Sequence, residues 1–219
     1  IGIRFRNLRM IYNLAIEKGV VKKEYYPFSS YKVSGLHKDT AKKAIQKEDI
    51  RAVINYPVKG KDFYTRLAVA LFSFSYFMGG INFVDMAYLT SKNIVGGRLI
   101  YTRRKTGKLI NLPLSSEALS VLEAKNSIGG NYLFPILSPS HKTEQMKLNR
   151  LHKVITKVNR VLKQIGEELN LPVKLTTYVA RHSFATVLKR EGVSTSIICE
   201  TLGHSSEKVT QIYLDSFEN

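Results

Sequence analysis

The residue types best able to act together lie near the end of the sequence. The segment TTYVARHSFATVLKREGVSTSIICETLGHSSEKVTQIYLDSF carries Arg181, His204 and Tyr213 in the order Arg–x22–His–x8–Tyr. Singly, each has an ordinary explanation: a histidine after a glycine caps a helix end or sits on the surface, and a tyrosine at helical spacing packs in a core. Together, a guanidinium, an imidazole and a phenol can grip an anion, move a proton and attack. A phenol ionises near pH 10, so it attacks only where positive neighbours stabilise its anion.

Positive neighbours are abundant. Lys and Arg total 34 against 17 acidic residues, a formal net charge of +17. That excess points to a polyanionic partner, nucleic acid before a membrane surface. Arg103, Arg104, Lys105 and Lys108 cluster around a Thr106-Gly107 turn. A hairpin tip there presents its charges outward, to solvent or to a phosphate. A second set, Lys147, Arg150, Lys153, Lys157, Arg160 and Lys163, recurs at helical spacing beside an apolar seam of Leu148, Leu151, Ile155, Val158, Leu162 and Ile165. It reads either as a solvated face or as a salt-sensitive contact to phosphate backbone.

The elements that must position these groups follow from periodicity. Apolar residues at three-to-four spacing predict a helix from the start of the chain to Gly19, followed by a polar, turn-rich linker. The first residue is Ile1 rather than methionine, so residues 1–34 read as the end of an upstream helical domain plus linker, and 35–219 as the main domain. A short helix ends near Pro57, and a buried helix is closed by Gly79-Gly80. Its apolar stretch, residues 67–81, is shorter than the roughly 20 residues of a membrane span. Asn82 precedes a further helical turn. Gly96-Gly97 and Thr106-Gly107 separate runs rich in Leu, Ile, Tyr and Thr, which predicts three antiparallel strands. Ser115 or Ser116 caps the next helix, and helices follow over about 147–169, 178–190, 194–202 and 206–216. Arg181 and His182 then open a helix. The fold class is mainly α with a small three-stranded antiparallel β-sheet. The single cysteine, Cys199, excludes an internal disulfide and an all-cysteine zinc cluster, and fits a reducing, cytoplasmic setting.

The phrases ARHSFAT and LGHSS, with the Arg–His–Tyr order and spacing, resemble the catalytic domain of the tyrosine recombinase (phage integrase) family. The resemblance covers about residues 40–219, and residues 1–34 resemble the end of the preceding core-binding domain. It implies the tyrosine recombinase catalytic-domain fold, with Arg181 as the second catalytic arginine, His204 as the histidine of the LGH motif and Tyr213 as the nucleophile. The family's hairpin lysine falls on Lys105, and the acidic residue of its first arginine box on Asp85. Arg103, Arg104, Lys108, His182, Lys147 and Arg150 are the further candidates for DNA contact. The chemistry implied is site-specific strand transfer through a 3′-phosphotyrosyl link with a free 5′-hydroxyl. It needs no nucleotide, metal or other cofactor. The implied partner is double-stranded DNA, bound as a tetramer, with a monomer expected for an isolated fragment and no membrane association.

Two positions depart from the family pattern. In Gly80-Ile81-Asn82-Phe83-Val84-Asp85, Asn82 stands where the first arginine is usual, and Tyr178 stands where a histidine or lysine precedes the second. Asn82 can hydrogen-bond a phosphate oxygen but not neutralise it. The clamp is therefore weaker unless another cation moves in, for which Arg66, Arg103 and Arg104 are candidates. Tyr178 either donates one hydrogen bond to phosphate or simply packs at a helix start. These departures keep open a non-enzymatic DNA-binding accessory protein with a degenerate recombinase fold; a type IB topoisomerase-like enzyme, which uses the same chemistry without two-site synapsis, is a further reading.

Overall fold

The computed structural model describes residues 2–32, 44–123 and 131–215, with the backbone alone for 212, 213 and 215. The chain divides into two compact units, residues 1–41 and 42–219. The boundary expected at 34/35 and the last residues, 216–219, lie outside the described residues.

In the first unit, α1 (Gly2–Glu17) is followed by two single 3-10 turns, Lys23–Tyr25 and Pro27–Ser29. Gly19, at φ 69°, ends the helix in the left-handed conformation that a side chain would disfavour. The turns fold back along the helix, with Tyr12 edge-on to Phe28 and Phe5 against Tyr31. α1 itself buries no residue.

The second unit is built around α3 (Phe63–Phe77), whose Leu67, Ala68, Leu71, Phe72 and Phe74 are all buried. Each fully buried leucine or phenylalanine contributes roughly 1.5–3 kcal/mol. Asp62 starts this helix by accepting hydrogen bonds from the Tyr64 and Thr65 N–H groups. α2 (Lys47–Ile54), α5 (Ser116–Glu123), α6 (Glu144–Glu168) and α7 (Thr177–Arg190) pack against α3 or its neighbours. Ser115 is the residue that caps α5, its Oγ accepting from the Ala118 N–H.

Between α4 (Phe83–Tyr88) and α5 lies the expected sheet, β1 (Ile94–Val95), β2 (Arg98–Thr102) and β3 (Leu109–Pro113), antiparallel in that order. The β2–β3 register pairs Thr102 with Leu109. α8 (Thr195–Leu202) and α9 (Glu207–Asp215) complete the unit, packed on each other and on α7. Among the described residues no helix is long and apolar enough to cross a membrane.

The apolar seam of α6 is displaced from its expected position. Leu148 is 56% exposed, whereas Val154 is buried with Leu151, Val158, Leu162 and Ile165. α6 starts at Glu144, and its first turn lies outside the core, leaving Met146 45% and Leu148 56% exposed.

Candidate active site

Arg181 sits one turn into α7 rather than opening it, because the helix begins at Thr177. Its side chain is 2% exposed. Nη1 donates to the Gly80 carbonyl at 2.8 Å and Nη2 to the Leu202 carbonyl at 2.6 Å. One guanidinium thus joins the turn before Asn82 to the end of α8. The Gly80 approach requires glycine: at φ 70°, a Cβ would lie 2.8 Å from Arg181 Cγ.

α8 ends on Gly203 in the left-handed region, φ 63°, with the His204 N–H bonded back to the Cys199 carbonyl. That reversal delivers His204, 8% exposed, into the site. Its Nδ1 lies 2.9 Å from Thr210 Oγ1. Thr210 is on α9, one turn before Tyr213, so the hydroxyl orients the imidazole relative to the helix that carries the phenol.

The β2–β3 turn is pinned to the same place. Thr106 Oγ1 donates to the Gly203 carbonyl at 3.3 Å, and Arg103 Nη1 donates to it at 2.5 Å. Lys105, between them, is exposed. Arg103 is a correction to the outward-facing cluster: it is 6% exposed and turned under the hairpin. The strand alternation foretells this, since Leu99 and Tyr101 face inward and Arg103 continues their series. Arg104 stays outside, its guanidinium 3.7 Å from the Tyr88 ring centre. Asp85 is buried and accepts the Arg104 backbone N–H at 3.0 Å, a brace for the hairpin.

His182 is a second correction. It is buried, with the Tyr178 ring packed edge-on at 4.3 Å, so it offers no surface to DNA. Tyr178 itself is 51% exposed at the start of α7. Asn82 is the N-cap residue of α4, yet its side chain makes no capping bond. Of the α6 cations, Lys147 pairs with Glu144 at 2.7 Å, which raises the lysine pKa and lowers that of the carboxylate. Arg150 Nε donates to the Ile136 carbonyl. Arg66 lines an apolar groove with Ile54, Phe63 and Phe77, a groove holding none of the site residues.

Tyr101 was not singled out by sequence. Burial pushes its phenol well above its ordinary pKa and Asp85 adds to the rise, while Arg181 and Arg103 pull the other way. All three charges therefore act on one buried hydroxyl.

Residues 43–219 match the model of the phage integrase family. The chain belongs to that family. Tyrosine recombinase XerC of Roseiflexus castenholzii is 37% identical over 111 residues, 50% of this chain and 34% of that protein. Tyrosine recombinase XerA of Pyrococcus furiosus is 29% identical over 181 residues, 80% of this chain and 57% of that protein. The chain thus spans less than two thirds of the length of either relative. A lambda integrase tetramer bound to a Holliday junction matches with a TM-score of 0.68 at 16% identity, over 97% of this chain and 58% of that one. The helical unit with its three-stranded sheet has the phage integrase catalytic-domain fold, as the motifs implied.

Proposed function

We propose that this phage integrase family chain is the catalytic part of a site-specific DNA recombinase. The observation that carries the reading is the convergence at the end of α8. Arg181 hydrogen-bonds Leu202, the hairpin bearing Lys105 bonds Gly203, and His204 bonds the helix that bears Tyr213. Contacts spanning up to 97 positions of the sequence meet at one turn of backbone, which supports a shared phosphate site there.

In this reading the Tyr213 oxygen attacks the scissile phosphorus as its proton passes to His204. The bond from phosphorus to the 5′-oxygen breaks, and Lys105 protonates the departing oxygen. The products are a 3′-phosphotyrosyl DNA and a free 5′-hydroxyl. Arg181 holds the non-bridging oxygens, with Asn82 and Tyr178 as neutral hydrogen-bond donors beside them. Arg104, Lys108, Lys147 and Arg150 make contacts to the flanking phosphates, which position the duplex without reading sequence. Strand exchange would run in a DNA-bound tetramer in the cytoplasm. The lambda integrase tetramer on a Holliday junction supports that assembly by likeness of fold.

The test is a nicked duplex carrying a site selected from random sequence by binding to the intact protein. Denaturing electrophoresis should show DNA covalently attached to protein, and Tyr213→Phe should abolish the attachment. Asn82 favours one other reading, a DNA-binding accessory protein, which predicts binding with no attachment at all.

A further inference from the structure

The family's first arginine is replaced by Asn82, so one positive charge is missing from the clamp. Arg103 is buried with no ion-pair partner among the described residues. The side chain is 6% exposed and its Nε is buried with no hydrogen-bond partner. Among the described residues no carboxylate pairs with it, and its Nη1 donates to the carbonyl of Gly203. Burying a guanidinium with no carboxylate bound to it is unfavourable. Such a cost is retained where an anion arrives from outside.

The position is specific. Arg181 and Arg103 donate to consecutive carbonyls, those of Leu202 and Gly203, immediately before His204. They come from different directions, Arg181 from α7 and Arg103 from the end of β2. Both also act electrostatically on the buried Tyr101 phenol. Gly203 makes the approach possible: a Cβ there would stand 3.1 Å from Arg103 Cδ. The other two candidate cations are engaged elsewhere. Arg104 stacks on Tyr88, and Arg66 donates to the Lys61 carbonyl at the edge of the apolar groove.

From this geometry we infer that Arg103 takes over the work of the missing first arginine, supplying the second guanidinium to the scissile phosphate. The inference rests on the recombinase reading of the site. The charge has moved from the turn before α4 to the hairpin, so the residue that anchors the Lys105 turn also neutralises the phosphate. DNA binding and the setting of the hairpin are thereby coupled through one side chain.

The test compares two substrates. One is the selected nicked duplex, and the other carries a methylphosphonate at the scissile position, which removes the anionic charge from the non-bridging oxygens. Arg103→Ala should lower covalent attachment on the ordinary phosphate by about 10²–10³-fold, the loss typical of one removed transition-state donor. On the methylphosphonate that deficit should close, because no charge remains to be neutralised. A deficit of equal size on both substrates would show a structural role at Gly203 and overturn the inference. If Arg103→Ala melts below the assay temperature, Arg103→Gln carries the same comparison, since it keeps a donor for the Gly203 carbonyl but no charge. Attachment by the unmodified protein that depends on Tyr213 leaves the recombinase reading standing whichever way Arg103 falls. Its absence on both substrates would overturn that reading and this inference together.

Discussion

Thr210 Oγ1 lies 2.9 Å from Nδ1 of His204. Both residues are buried, and Thr210 stands one helical turn before Tyr213. A single hydroxyl therefore ties the histidine of one motif to the helix of the next. Thr210→Val keeps the shape and removes the bond, leaving a buried ring nitrogen without that partner. The expected cost is about 1–3 kcal/mol of stability, read by chemical denaturation. Covalent attachment to DNA should fall while DNA affinity holds, because the imidazole loses its orientation but no surface charge changes.

Gly203 and Gly97 make a controlled pair. Both have positive φ, 63° and 71°. A Cβ on Gly97 would meet nothing within 4 Å, whereas one on Gly203 would stand 2.8 Å from Ile110 Cδ1. Gly97→Ala should cost only the left-handed backbone term, about 1–2 kcal/mol. Gly203→Ala adds an overpacking term of about 1–3 kcal/mol. Denaturation midpoints of the two variants should separate accordingly.

Lys105 is exposed on a turn that Gly203 holds in place. As general acid it should be worth about 10²–10⁴-fold in cleavage rate. Replacing the bridging 5′-oxygen of the substrate by sulfur supplies a leaving group that departs as thiolate, with an ordinary pKa near 8.5. Lys105→Ala should be slow on the ordinary substrate and close to the unmodified protein on the sulfur one. Equal impairment on both would assign the proton to another group.

Tyr101 predicts the alkaline limit of stability. Its folded-state pKa is raised, first by burial and then by Asp85. Its contribution is therefore fully present below the unfolded value near 10 and is lost as pH rises through the folded one. Unfolding free energy should decline above about pH 10, with a slope of up to about 1.4 kcal/mol per pH unit from this residue. Tyr101→Phe should flatten that slope. Denaturant titrations between pH 8 and 11 measure it.

Several features were legible from residue order alone. The run LAVALFSFSYF, too short for a membrane span, read as a buried helix, and Gly96-Gly97 with Thr106-Gly107 marked both turns of the sheet. The C-terminal motifs pointed to the family. What escaped was burial that depends on a distant partner. Arg103 belongs to a charged turn in sequence; the alternation of β2 gives its inward face, but the space that receives it is opened by Gly203, 100 residues later. His182 lies on a different face of α7 from Arg181, but α7 is buried on more than one face and Tyr178 packs over the His182 ring. Leu148 fits the periodic seam of α6, but that helix begins before the core does. Periodicity reports which face a residue takes, while the extent of the neighbouring surface decides whether that face is covered.

The most direct test of the account is the identity of the atom that takes the DNA. Trapped protein–DNA adduct would be digested with trypsin after nuclease trimming, and the nucleotide-bearing peptide sequenced by mass spectrometry. Attack by Tyr213 predicts the peptide that follows Lys208, with the added mass on Tyr213. Attachment to any other residue, or a protein that binds the selected duplex without forming an adduct, would contradict it.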